Sequence, residues 1–314
     1  VLAGAVAGCA LAGCGGAGAA SSTVAASHSS HATSRSPSST ATTTRARPTP
    51  LGSPSLTREA TSTAPTNFVP AVTWRGQTAV YVARRPNLAL ISLNQKLVGL
   101  HLHSGTVDAG ATGYRFGPAI LGSERARVVA GFNGGFKLDT HSGGFYSAGR
   151  TAAALSTGLG SIVTYTDGST DIGAWHEGVP AAGHTVYSVR QNLRLLVSGG
   201  RIASNVSCVI CWGPTLGGTA TPARGGLGIT AAGNLIWAGG EQLSVLGLAQ
   251  ALRSARVVRA VELDINPEWV AGYLYGHRGG RGAPAAVALV PGQPGVPGQF
   301  LTPDSRDFFS VVAR

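Results

Sequence analysis

From Phe68 to the C-terminus, short apolar runs recur every 10 to 30 residues and turn-forming pairs punctuate them. Ala79–Val82, Leu97–Leu102, Arg127–Phe132, Ile162–Tyr165 and Leu193–Val197 have the length and composition of β-strands. Leu227–Thr230, Asn234–Trp237, Val257–Ile265, Ala285–Val290 and Phe308–Val312 continue the series. Asp167-Gly168, Gly199-Gly200 and Ala232-Gly233-Asn234 supply turns. Helical spacing is convincing once, where Val245, Leu248, Ala249 and Leu252 fall at i, i+3, i+4 and i+7. Strand, helix and strand from Asn234 to Ile265 form a crossover unit, which places Val257–Ile265 inside a sheet. The Gly/Pro-rich run from Gly279 to Gly298 reads as a long loop around one short strand. The expected fold class is α+β: a strand-rich mixed-sheet domain with few helices, preceded by a disordered N-terminal tether.

The tether follows from composition. Residues 15–66 hold Ser, Thr, Ala and Pro with almost no Leu, Ile, Phe or Trp. Such a segment cannot bury enough apolar surface to offset its chain entropy. Residues 1–14 are almost wholly Ala, Gly, Val and Leu, too short to span a bilayer and suited to the apolar part of a signal peptide. Leu11-Ala12-Gly13-Cys14 resembles a bacterial lipobox, so Cys14 is the expected lipidation site; Val6-Ala7-Gly8-Cys9 is a weaker match. No Lys or Arg precedes Arg35 and the chain has no Met, so a natural start upstream or a non-standard start codon is expected. Domain organisation then reads 1–14 signal peptide and lipobox, 15–66 linker and 67–314 folded domain. The implied location is extracytoplasmic: lipid-anchored to the cell membrane, or secreted.

Charge narrows the partners. The chain carries 24 basic and 13 acidic residues, and all the basic ones except Lys96 and Lys137 are arginine. A basic surface favours anionic partners. The arginines are scattered, without zinc-finger, helix-turn-helix or aromatic-interleaved RNA motifs, so no nucleic acid partner is expected. Cys208-x-x-Cys211 lacks a second pair or a His run; in an oxidising compartment it reads as a local disulfide ahead of a zinc or redox motif.

Three constellations could carry chemistry. Asn133-Gly134-Gly135 follows an apolar strand, and its glycines suit either a backbone anion nest with Asn133 as donor and acceptor, or an ordinary hairpin turn. In Val261-Glu262-Leu263-Asp264-Ile265-Asn266-Pro267-Glu268-Trp269, alternation puts Glu262 and Asp264 on one strand face, with Cα atoms about 6.6 Å apart. That separation suits two carboxylates flanking a glycosidic bond, although arginine pairing would also explain them. Arg224, entering a strand through Gly225-Gly226, could clamp a phosphate or carboxylate. His101 and His103 share a strand face without a third ligand, so they read as a solvated face and no metal site is assigned. No motif names a cofactor, which stays unknown.

Taken in order, these elements resemble the phosphodiester glycosidase family, whose founding members remove N-acetylglucosamine from a sugar-phosphate diester. The resemblance rests on Phe132-Asn133-Gly134-Gly135-Phe136, Gln191 to Val197, Arg224 to Gly228, Gly233-Asn234-Leu235, Leu248-Ala249-Gln250 and Leu263-Asp264. It spans roughly Val80 to Val312, and the tail Ser305-Arg306-Asp307-Phe308-Phe309 is similar to bacterial members. The family follows its Leu-Asp with Gly-Gly and Ser, whereas this chain has Ile265-Asn266-Pro267-Glu268. The resemblance implies an extracytoplasmic hydrolase cleaving a glycosyl phosphodiester in envelope polymer or glycolipid. It implies Asp264 as the essential carboxylate with Glu262 its partner, and Arg224 with the amides of Gly134 and Gly135 on the phosphate. Asn133 would orient a sugar hydroxyl or water, and Asn266 and Glu268 would replace lost polar contacts. The alternative is a non-catalytic envelope module that binds anionic glycan.

Overall fold

A computed structural model of the protein describes residues 66–213, 218–277 and 285–314. The expectations for residues 1–65, Cys14 included, lie outside these; Thr66, the last residue of the expected linker, hydrogen-bonds through its hydroxyl to Ser254 at 2.8 Å.

The strands form three sheets. The first runs β1 (Val69–Trp74), β2 (Gln77–Arg85), β3 (Leu88–Leu93), β14 (Leu235–Gly240), β13 (Arg224–Thr230), β15 (Val257–Glu262), β11 (Val197–Ser198) and β12 (Arg201–Ile202). The second is β7 (Arg150–Ala153), β6 (Phe145–Ser147), β10 (Val186–Gln191), β8 (Gly160–Tyr165) and β9 (Thr170–Ala174). The third is β17 (Ala285–Ala288), β16 (Gly272–Gly276), β5 (Val128–Asn133), β18 (Phe308–Ala313) and β4 (Val98–His103). Inner strands β5, β8, β14 and β18 are buried at every position, which is why they read as continuous apolar or small-residue runs without alternation.

The sheets supply one another's core. Trp237 of β14 stacks on Phe132 of β5 at 5.7 Å between ring centroids, and Phe132 meets Phe309 of β18 at 5.6 Å, joining the first sheet to the third. Phe145, Ile162 and Ile172 bring the second sheet into the same cluster. Because sheet packs on sheet, little helix is needed. Among the described residues the α-helices are α1 (Gly122–Arg125), a single turn, and α2 (Val245–Ser254), whose N-cap Ser244 accepts from the Gly247 amide at 3.0 Å. Its predicted face is the buried one: Val245, Leu248, Ala249 and Leu252 are at most 2% exposed.

The expected crossover exists. β14 and β15 both pair antiparallel with β13, so they run parallel to each other with α2 between them. Two expectations need correction. The strand-rich character with few helices holds and the domain is mostly β, but every ladder between named strands among the described residues is antiparallel, in place of the expected mixed sheet. The run Leu193–Val197 does not form one strand: Leu193 adopts a left-handed φ of 52°, and pairing starts only at Val197. β15 also ends at Glu262, which places Asp264 just past the strand, where the exits of β5 and β15 meet the approach to β18.

Candidate functional site

Backbone hydrogen bonds draw the strand ends together. The Asp264 amide donates to Gly134 O, the Gly225 amide to Asp264 O and the Gly134 amide to Asp307 O, each at 3.0 Å. Asp264 is thereby fixed at the floor of a cleft of about 350 Å³ whose lining includes Phe136, Lys137, Ile265, Asn266, Trp269 and Arg306. Its Oδ2 accepts from Arg306 Nη2 at 2.9 Å and its Oδ1 from the Asn266 amide at 2.9 Å. Burial raises the Asp264 carboxyl above the usual carboxylate range; Arg306 and the amides of Asn266 and Ile265 pull it back, and Asp307 adds to the rise. Asp264 is the one carboxylate among the described residues that line this cleft.

Arg306 organises the rest. Its Nη2 also donates to Gly135 O at 3.0 Å, its Nε pairs with Asp108, and its guanidinium carbon lies 5.2 Å from the centre of the Trp269 ring. Lys137 is exposed on the cleft wall and has no carboxylate partner among the described residues. Nothing in the sequence marked Lys137. Arg306 stood only in a motif at the tail, because its position opposite Asp264 depends on β18 pairing with β5.

The Asn133-Gly134-Gly135 segment is neither a hairpin turn nor a free anion nest. Neither glycine has a left-handed φ. Their amides are already engaged: Gly134 N donates to Asp307 O at 3.0 Å and Gly135 N to Asp307 Oδ2 at 3.4 Å. What demands glycine is close approach. A Cβ on Gly134 would stand 2.6 Å from Asp307 O, and one on Gly135 would stand 2.8 Å from the Arg190 guanidinium carbon. These two partners form a buried ion pair, Arg190 Nε to Asp307 Oδ2 at 2.8 Å and Nη2 to Oδ1 at 3.1 Å. The expected phosphate role for the Gly134 and Gly135 amides is therefore corrected. Asn133 does face the site: it lines a pocket of about 10 Å³ with Asp264 and Arg306, and its buried Oδ1 has no hydrogen-bond partner.

Arg224 and Glu262 take a different place from the one expected. Both are fully buried, paired Nη1 to Oε1 at 2.6 Å, and neither lines the cleft. Arg224 further donates to the carbonyls of Leu243 at 2.9 Å and Trp212 at 3.3 Å. Burial pushes the Glu262 carboxyl up to about 8 against the opposing pull of Arg224, and Asp264 raises it further. The alternation expected to carry both acids on one strand face stops at Glu262, where β15 ends; arginine pairing claims Glu262, and the two carboxylates do not line a shared cleft. Asn266 lines the cleft while its Oδ1 accepts from the Glu268 amide at 3.0 Å; Glu268 itself is exposed and outside the lining. His103 is fully buried against Glu124 and Ser310, and His101 is partly buried, so the solvated-face reading of that pair is also corrected. Cys208 and Cys211 are joined by a disulfide. Among the described residues no group of three His, Cys, Asp or Glu side chains is placed to hold a metal ion, and no helix is long and apolar enough to cross a membrane.

No family model matches the chain, and no curated protein sequence matches it. Solved structures align with it at low identity. The catalytic domain of zebrafish N-acetylglucosamine-1-phosphodiester alpha-N-acetylglucosaminidase, auto-inhibited by its pro-peptide, is 15% identical with a TM-score of 0.46, covering 79% of this chain and 83% of that one. A hypothetical protein from Synechocystis is 12% identical with a TM-score of 0.43, covering 80% of this chain and 64% of that one. A putative exported protein from Burkholderia pseudomallei is 12% identical with a TM-score of 0.36, covering 75% of each chain.

Proposed function

We propose that the protein is an extracytoplasmic hydrolase that cleaves a glycosyl phosphodiester, acting at the cleft around Asp264. The observation that carries the reading is a solitary carboxylate of raised basicity on the floor of a cleft that also presents an aromatic ring, Trp269, and a cation, Lys137. Glycosidases that expel an alcohol use two carboxylates, one of them to protonate the leaving oxygen. A phosphate monoester leaves as a stable anion and needs no such proton. One carboxylate with cations beside it suits that leaving group better than it suits an alcohol.

In this account Asp264 acts at the anomeric carbon, as base toward a water or as nucleophile. Lys137 and the guanidinium of Arg306 balance the charge that grows on the departing phosphate, the part first given to Arg224. Asn133 Oδ1, unpartnered beside a pocket the size of one water, orients that water or a sugar hydroxyl. Trp269 offers a flat apolar face to the sugar ring. The lipobox-like segment ending at Cys14 supports an anchored or secreted location, and the substrate is then a phosphate-bearing glycan or glycolipid of the envelope.

One observation favours the binding-module alternative: both Asp264 oxygens already accept a hydrogen bond, from Arg306 and from the Asn266 amide. Incubating the protein with an N-acetylglucosamine-1-phosphodiester and identifying the products separates the two. Free sugar formed by the protein and abolished by Asp264→Asn supports the hydrolase. Saturable binding without turnover supports the module, and release of sugar phosphate refutes the proposed bond cleavage.

A further inference from the structure

A larger cavity than the Asp264 cleft lies elsewhere. It measures about 580 Å³, is walled by His101 of β4, the segment from Arg115 to Glu124, the turn after β8 and Tyr187 of β10, and shares no lining residue with the Asp264 cleft. Four arginines, Arg190, Arg224, Arg259 and Arg306, are paired with carboxylates, and the other described arginines are not. Arg115 and Arg127, which line this cavity, have no carboxylate partner among the described residues. The guanidinium carbon of Arg115 lies 5.5 Å from the centre of the Phe116 ring, and Arg127 donates to Ala313 O at 2.9 Å.

The one carboxylate on the wall, Glu124, is engaged elsewhere. Its Oε1 meets His101 Nδ1 at 2.9 Å, buried His103 Nε2 at 3.0 Å and the Ser310 hydroxyl at 2.5 Å. Glu124 also fixes His101, whose ring stacks on Phe116 at 4.0 Å between centroids. With Nδ1 donating to Glu124, Nε2 of His101 is left as an acceptor, without a hydrogen-bond partner among the described residues. Two guanidiniums without a carboxylate partner give the concave wall donors for an oxyanion, and the oriented imidazole adds an acceptor.

We propose that this cavity is a second ligand site, which takes a small phosphate monoester, its phosphate on Arg115 and Arg127 and a hydroxyl of its body donating to His101 Nε2. The volume exceeds what a bare anion fills, so the ester carries a body of sugar size, packed against Tyr165 and Tyr187. The site stands on observations independent of the cleft.

Calorimetric titration with glucose 6-phosphate, glucose and inorganic phosphate tests it. Saturable binding of glucose 6-phosphate is expected, with none of glucose and weaker binding of inorganic phosphate. Arg115→Ala combined with Arg127→Ala weakens it at least about tenfold. His101→Gln, which keeps a polar side chain of similar reach, weakens it less, and Asp264→Asn leaves it unchanged. Circular dichroism of each variant establishes that it is folded. No saturable binding, binding of glucose alone, equal affinity for inorganic phosphate, or loss on Asp264→Asn with retention in the double arginine variant would each overturn the proposal.

Discussion

Gly134→Ala is the substitution that most sharply separates a packing role from a ligand role for the Gly-Gly pair. The added methyl carbon would stand 2.6 Å from the backbone oxygen of Asp307 and against its carboxylate, closer than any rotamer change can relieve. The start of β18 must shift from β5, which breaks the Gly134 amide hydrogen bond and distorts an ion pair whose side chains are 1% and 0% exposed. Disrupting a buried pair costs about 3–5 kcal/mol and the lost hydrogen bond about 1 kcal/mol more. Even partial disruption, about 3 kcal/mol, lowers the melting temperature of a domain this size by roughly 6–12 °C. Gly298→Ala is the control, since a Cβ there meets nothing within 4 Å and the backbone is not left-handed. It is expected to stay within about 0.5 kcal/mol of the parent. Urea unfolding with calorimetric melting measures both. If Gly134→Ala unfolds like the parent yet loses ligand binding, the amides serve a ligand and the packing argument is wrong.

Other outcomes follow from the same contacts. Arg224→Met leaves the Glu262 carboxyl buried without its partner and is expected to destabilise by about 3–5 kcal/mol in urea unfolding; adding Glu262→Leu should restore most of it. An Arg224 that instead holds substrate would show as raised KM in the stable double variant. Lys137→Ala, at an exposed position, should raise KM for a phosphodiester with a melting temperature change under about 2 °C. For Glu124, burial alone would raise the carboxyl, but hydrogen bonds from His101, His103 and Ser310 outweigh it and hold the group well below its ordinary 4.5. A depressed carboxyl contributes stability above pH 4.5 that is lost as pH falls, so Glu124→Gln should destabilise at pH 7 and flatten the acid limb of the stability profile. An unchanged acid limb would show that Glu124 is not held as its contacts indicate.

Strand positions were legible for β5, β8, β14 and β18, whose apolar or small residues run together, but the equally inner β3 and β16 were missed. β10 was missed because Ser188, Arg190 and Gln191, all buried, dilute its apolar signal, and the last two are buried for a tertiary reason. Gln191 caps the Gly144 and Ser156 amides and Arg190 pairs with Asp307, 117 residues away. The same distance hid the site. Period-two spacing grouped Glu262 with Asp264, but the strand ends at Glu262, and only the sheet shows that Arg224 closes over one acid while Arg306 reaches the other. Asp264 stood in the sequence as a candidate, and pairing across strands selects the cation beside it.

The central claim is that Asp264 directs attack at carbon, leaving the phosphate intact. Hydrolysis of an N-acetylglucosamine-1-phosphodiester in ¹⁸O-labelled water, followed by mass spectrometry of both products, tests it directly. The account predicts the label in the released sugar. Label in the phosphate would place the cleavage at phosphorus and contradict it.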